Sequence, residues 1–121
     1  LSAIWEELPT LGTTRDLALG MTNGRLVFFD FQTSVPKSSD FALGQVNGIT
    51  KLSGSNRWCA VCANGEIQTI AAADIWTEGR WYPVTNPFVA NINDVWYDAT
   101  DNIAIAVAQD GVICRSVDSI S

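Results

Sequence analysis

The sequence predicts an all-β chain of three four-stranded repeats, on three observations. Hairpin-forming pairs occur three times, at Asn23-Gly24, Asn64-Gly65 and Asp110-Gly111, and Asn-Gly and Asp-Gly supply the positive φ values that tight two-residue turns demand. Each pair follows a short run of small apolar residues, and no stretch sustains the 3.6-residue period of an amphipathic helix. The turn glycines Gly24, Gly65 and Gly111 are about 41 and 46 residues apart, which suits a four-stranded unit.

The elements follow in order. Leu17–Met21, Cys59–Ala63 and Ile103–Ala108 are continuous apolar runs, the pattern of strands buried on both faces, and are read as the inner strands. After the three turns come Arg25–Phe31, Glu66–Ala72 and Val112–Val117, which mix polar and apolar residues as half-buried strands do. Ile49–Leu52 and Asp94–Tyr97 supply a preceding strand in the second and third units, each followed by a turn-prone stretch, Ser53–Asn56 and Asp98–Asn102. Fourth strands are expected at Asp40–Gln45 and Arg80–Thr85. The third unit shows none before Ser121.

The N-terminal stretch Ala3–Pro9 is similar to Gly79–Val84, both pairing a Trp with a Pro a few residues later, as an edge strand tolerates. Residues 1–8 are therefore read as a closing strand, anchored by Trp5, that completes the last unit. The 121 residues form a single module with repeats at roughly 8–45, 46–86 and 87–121. The register of the first repeat is left open.

Composition excludes several function classes. Net charge is −6 with only 7 Lys and Arg, so no basic stripe exists for phosphates and no nucleic-acid partner is expected. No apolar run approaches the roughly 20 residues of a membrane helix. The start at Leu1-Ser2-Ala3 shows neither Met nor a signal peptide, which suggests a processed chain or a segment; the chain is read as soluble, and its compartment is left open, virion and cytoplasm among the options. Three cysteines cannot close a disulfide framework. Cys59 and Cys62 match C-x-x-C, but three residues apart on a strand they point to opposite faces, so they and Cys114 are read as buried structural residues and no metal is expected.

The same residues argue against catalysis. With 0 His, nucleophile and general-base arrangements built on imidazole are out. Arg15, Arg25, Arg57, Arg80 and Arg115 fall at unlike places in their repeats, Glu6 and Glu7 point apart on a strand, and Asp98 and Asp101 suit turn acceptors. No phosphate-cradling glycine pattern is present. No catalytic residue and no cofactor is assigned. Of the five tryptophans, Trp5, Trp58, Trp76, Trp81 and Trp96, all sit where large aromatics fill gaps between sheets. Sugar stacking is the alternative use, and Trp76, Trp81 and Tyr82, beside the loop Asp74–Arg80, are the ligand-binding residues that reading selects.

Asp110 to Asp118, with the order strand, Ser116-x-Asp118 and a Trp supplied by Trp5, resembles the repeats of β-propellers of the BNR or Asp-box kind, seen in sialidases and in photosystem-assembly factors of the YCF48 type. No unit carries the complete box. The resemblance implies three four-stranded propeller blades, which reach a usual ring of four to eight only in company. Two copies would make six blades; further blades of the same polypeptide or of another partner would serve equally. The function expected is a non-enzymatic protein-interaction module, a homo-oligomer or a structural subunit of a larger assembly such as a phage tail or virion, with a glycan-binding propeller as the alternative.

Overall fold

The computed structural model describes residues 3–6, 16–23, 25–30, 35–40, 45–71 and 81–117. Among them, β1 (Ala3–Glu6), β2 (Asp16–Gly20), β3 (Arg25–Asp30) and β4 (Val35–Asp40) form a first sheet. A second is made of β5 (Val46–Leu52), β6 (Arg57–Cys62), β7 (Ile67–Ala71) and β8 (Tyr82–Pro83), and a third of β9 (Ile92–Asp98), β10 (Ile103–Ala108) and β11 (Ile113–Val117). Strands lie in chain order within every sheet and all neighbours are antiparallel. The all-β class is the one the hairpin signals predict, and one 3-10 turn, Ala63–Gly65, is the helical exception among the described residues.

The second and third sheets share one register. Val46 faces Cys62 and Gly48 faces Val61, skipping Asn47; Ile92 faces Ala108 and Asp94 faces Val107, skipping Asn93. Each skipped Asn is a bulge, which twists the strand locally. Asn56 and Asn102 hold φ of 54° and 55° at the entrances to β6 and β10, a conformation that Asn tolerates better than other side-chain-bearing residues. The hairpins agree in the same way: Gly20 faces Leu26, Val61 faces Ile67 and Val107 faces Ile113.

Several expectations change in detail. The apolar strands β2, β6 and β10 stand second in their sheets, not innermost; the sheets meet through β1, β5 and β9, with β5 lying along β9 and β1 against β5. A strand flanked on both sides needs apolar residues for its two faces, whichever end of the sheet meets its neighbour. The fourth strand of the first sheet is Val35–Asp40, earlier than the expected Asp40–Gln45, and Pro36 is accommodated because β4 is an edge. Residues 41–44 lie outside the described residues, and β8 is shorter than expected.

Residues 3–6 pair with β2, Ala3 opposite Gly20 and Glu6 opposite Leu17, so the strand read as closing the last unit completes its own first sheet. Its hairpin partner is near in sequence, and short loops close at lower entropic cost than long-range pairings. At the second turn both Asn64 and Gly65 have positive φ, 72° and 80°; at the third only Gly111 does, at 86°. Asp110 instead turns its carboxylate to accept from the Val112 N–H at 3.2 Å, while Gly111 N–H donates to Ala108 O at 3.1 Å. Gly24 lies outside the described residues.

Among the described residues the core consists of two apolar layers, one on each side of the second sheet. Leu26 of the first sheet packs with Ile49, Trp58, Ala60, Cys62 and Ile70. On the opposite face Cys59 and Val61 meet Ile92, Val95, Ala106 and Ala108 of the third sheet. Alternation along β6 sends successive residues to opposite layers, so residues 58–62 are all buried. Gly48 lets β5 pass close to β9: a Cβ there would stand 3.0 Å from Val61 Cγ2 and 3.1 Å from Asp94 Oδ1 and the Val95 N, closer than side chains ordinarily approach.

Candidate functional site

The second and third sheets are tied at both ends as well as through the apolar layer. Asn47, at the β5 bulge, donates from Nδ2 to Ile92 O at 2.8 Å. Nearby, Asn91 Oδ1 accepts from the Asn64 N–H at 3.0 Å and its Nδ2 reaches Gln109 Oε1 at 3.1 Å. At the far end Tyr97 Oη accepts from the Gly54 N–H at 3.0 Å and donates to Asn102 Oδ1 at 2.8 Å. The bulge asparagine reads the backbone of the next sheet, a role an unpaired residue outside the ladder is free to take.

Two of the residues weighed for chemistry make local structural bonds. Arg57 donates to Thr69 Oγ1 at 3.1 Å across β6 and β7. Asp98 accepts from the Thr100 N–H at 2.9 Å, a local turn bond, and Asp101 is exposed. Among the described residues no group of three or more His, Cys, Asp or Glu could hold a metal. Arg15, Glu7, Arg80 and Trp76 lie outside the described residues.

Cys59 and Cys62 fall in opposite apolar layers, as alternation along β6 requires, and all three cysteines are free thiols. Burial pushes the Cys62 thiol up to about 12 from an ordinary 9.0, with the Glu66 carboxylate adding to the rise. Cys114 is only half-buried, packed at the edge of the layer between the second and third sheets.

The aromatic residues divide differently from the sequence reading. Trp58, 3% exposed, and Trp81, 8% exposed, lie in the layer between the first and second sheets, with the Lys51 ammonium 5.6 Å from the Trp58 ring centroid, a cation–π distance. Trp81, one of the residues selected for sugar stacking, therefore presents little of its ring to solvent, while Tyr82 beside it is exposed. Trp96, read as filling a gap between sheets, is 61% exposed. It faces away from the second sheet, and nothing among the described residues covers it.

Two features of the third sheet stand out. On its outward face Trp96 is directly opposite Ile105, and Ile113, 69% exposed, is directly opposite Val107; the same rows set Asp98 opposite Ile103, Arg115 opposite Ile105 and Asp94 opposite Val107, so the apolar residues are bordered by charges. The signal was present in the alternation Ile103-Ala104-Ile105-Ala106-Val107-Ala108, in which small residues face the second sheet and large ones face out. On its inward face, an apolar cleft of about 180 Å³ opens between the second and third sheets, bounded by Leu52, Val61 and Ile67 on one side and Ala104, Ala106 and Ser116 on the other.

No protein-family model matches the chain, and a search of curated proteins finds no match.

Proposed function

We propose that the chain is a non-enzymatic assembly module of the β-propeller type, and that the outward face of its third sheet receives the first sheet of a second copy, so that two chains make a six-sheet ring. One observation carries this reading. Leu26, Ile67 and Ile113 hold the same register position in the three sheets, opposite Gly20, Val61 and Val107. Leu26 is 0% exposed beneath the second sheet and Ile67 packs under the third, whereas Ile113 is 69% exposed. The face bearing Ile113 thus corresponds to the very face of the second sheet that the third sheet covers.

Asn93 supports the same reading, because it is exposed at the bulge position from which Asn47 ties the second sheet to Ile92. A propeller ring of six sheets falls within the usual range of four to eight, and two identical chains each offering a first and a third sheet satisfy an isologous two-fold. Light scattering after size exclusion tests it. A dimer is expected for the native chain, and Ile113→Asp and Trp96→Asp should each give a folded monomer with unchanged far-ultraviolet circular dichroism. A native chain that is monomeric at every attainable concentration overturns the reading.

A further inference from the structure

The cleft between the second and third sheets has an apolar end and a charged end, and the strand register orders them. Side chains alternate along β6, so Arg57, Cys59 and Val61 share the face turned to the third sheet. Their partners in β7 are Ala71, Thr69 and Ile67. Cys59, Val61, Ile67 and Thr69 line the cleft, and Arg57 stands one step beyond Cys59. Its Nη2 donates to Thr69 Oγ1 at 3.1 Å, which sets the guanidinium one hydrogen bond from the cleft wall.

The other end, beside the β6–β7 hairpin, is closed by Phe88, 7% exposed. Asn86 fixes this wall: its Oδ1 accepts from the Phe88 N–H at 2.9 Å and its Nδ2 donates to Val84 O at 3.0 Å. The backbone there rests on Gly65, where a Cβ would stand 2.7 Å from Phe88 O. Across the cleft Ala104, Ala106 and Cys114 are small side chains. A wall already held in place spares a ligand the cost of ordering it.

Size and charge select the occupant. The volume is about 180 Å³, and an engineered apolar cavity of about 150 Å³ binds benzene, so a single ring fits. Arg57 is half-buried and bonded to a neutral hydroxyl, and no carboxylate among the described residues is paired with it. A cation partly removed from water favours an anionic partner, and the N–H donors of a guanidinium match the two oxygens of a carboxylate. One cation balances one negative charge, and a chain of net charge −6 repels anions that carry more.

We propose that this cleft binds a small amphipathic monocarboxylate, an aryl-alkanoate whose ring lies among Val61, Phe88 and Ala106 and whose carboxylate accepts from Arg57 beside the Thr69 hydroxyl. The site goes beyond the ring reading and does not depend on it. It lies within a single chain, on the face of the third sheet opposite to Trp96 and Ile113.

The test is calorimetric titration of the full chain with phenylpropionate at neutral pH. Saturable binding is expected, and phenylpropionamide, of the same shape without the charge, should bind about tenfold or more weakly, as loss of a charge-assisted hydrogen bond implies. Arg57→Gln should bring the acid down to the level of the amide and leave the amide unchanged, while Arg57→Lys keeps part of the preference. Ala104→Leu, which occupies the cleft, should abolish binding of both. Bound phenylpropionate should also slow the reaction of Cys114 with a thiol reagent, because that thiol lines the cleft. Absence of saturable binding overturns the proposal. So does equal affinity for acid and amide, which would mean that the charge of Arg57 is not offered to a ligand, or native affinity in Ala104→Leu, which would place the ligand elsewhere. These last two comparisons decide the matter even if Arg57→Gln fails to fold.

Discussion

The two apolar layers on either side of the second sheet are built on similar backbones with different side chains. β5 and β9 share register, bulge and the positive-φ Asn in the turn that follows each, yet the layer toward the first sheet is closed by Trp58, Ile70 and Trp81, while the layer toward the third has Ala104 and Ser116 and a cleft of about 180 Å³. Sheet spacing is set by the backbone and by contacts such as Gly48 against Asp94 and Val95, so a layer cannot collapse onto small residues as a loop could. The volume that side chains do not fill stays open.

The largest effect should come from opening the closed layer. Trp58→Ala would leave in the first layer a void like that of the second, in a site 3% exposed, and should cost about 3–5 kcal/mol, measured by urea unfolding. A cost below about 1 kcal/mol would mean that the layers do not differ in packing as described. Gly48→Ala comes next. Its Cβ would meet Val61 Cγ2 at 3.0 Å and the backbone N of Val95 at 3.1 Å, and because backbone cannot turn aside, the sheets would be forced apart at a cost of about 1–3 kcal/mol. Tolerance of alanine there would show that β5 and β9 can separate without penalty.

Much of this comparison was legible in the sequence and part of it was not. The hairpins at Asn64-Gly65 and Asp110-Gly111 announce their strands because few residues other than Gly and Asn accept positive φ, and both turns form between paired strands. Cys59 and Cys62 are assigned to opposite faces by counting alone. The rank of each strand within its sheet is not local information: Leu17–Gly20 looks the same whether its second neighbour is a strand or another sheet, and the pairing of Ala3–Glu6 with it is what decides. Trp96 shows the same limit. Its neighbours Val95 and Tyr97 are a buried and a half-buried residue, but whether the face between them is covered depends on a sheet the sequence does not place.

The open layer should also respond in the favourable direction. Ala104→Leu puts branched aliphatic volume into the cleft beside Ala106 and Ser116, and cavity filling of this kind should stabilise the chain by about 0.5–2 kcal/mol, seen as a rise in Tm. A fall would indicate that the cleft is closed by side-chain movement and that the two layers differ less than their residues suggest.

The cysteines give the smallest effect at neutral pH. Half-buried Cys114 should react with a thiol reagent first, and Cys59 and Cys62 only on unfolding, since both are buried and the thiolate is the reactive form. Cys62 adds a pH dependence. Its folded pKa is raised to about 12 from 9.0, so the folded state binds the proton more tightly than the unfolded one. The stabilisation is fully present below about pH 9 and falls as pH rises from there toward 12, the window set by those two values. Cys62→Ala should therefore flatten the decline in stability between about pH 9 and 11; a slope equal to that of the native chain would mean that the closed layer does not exclude charge at this position.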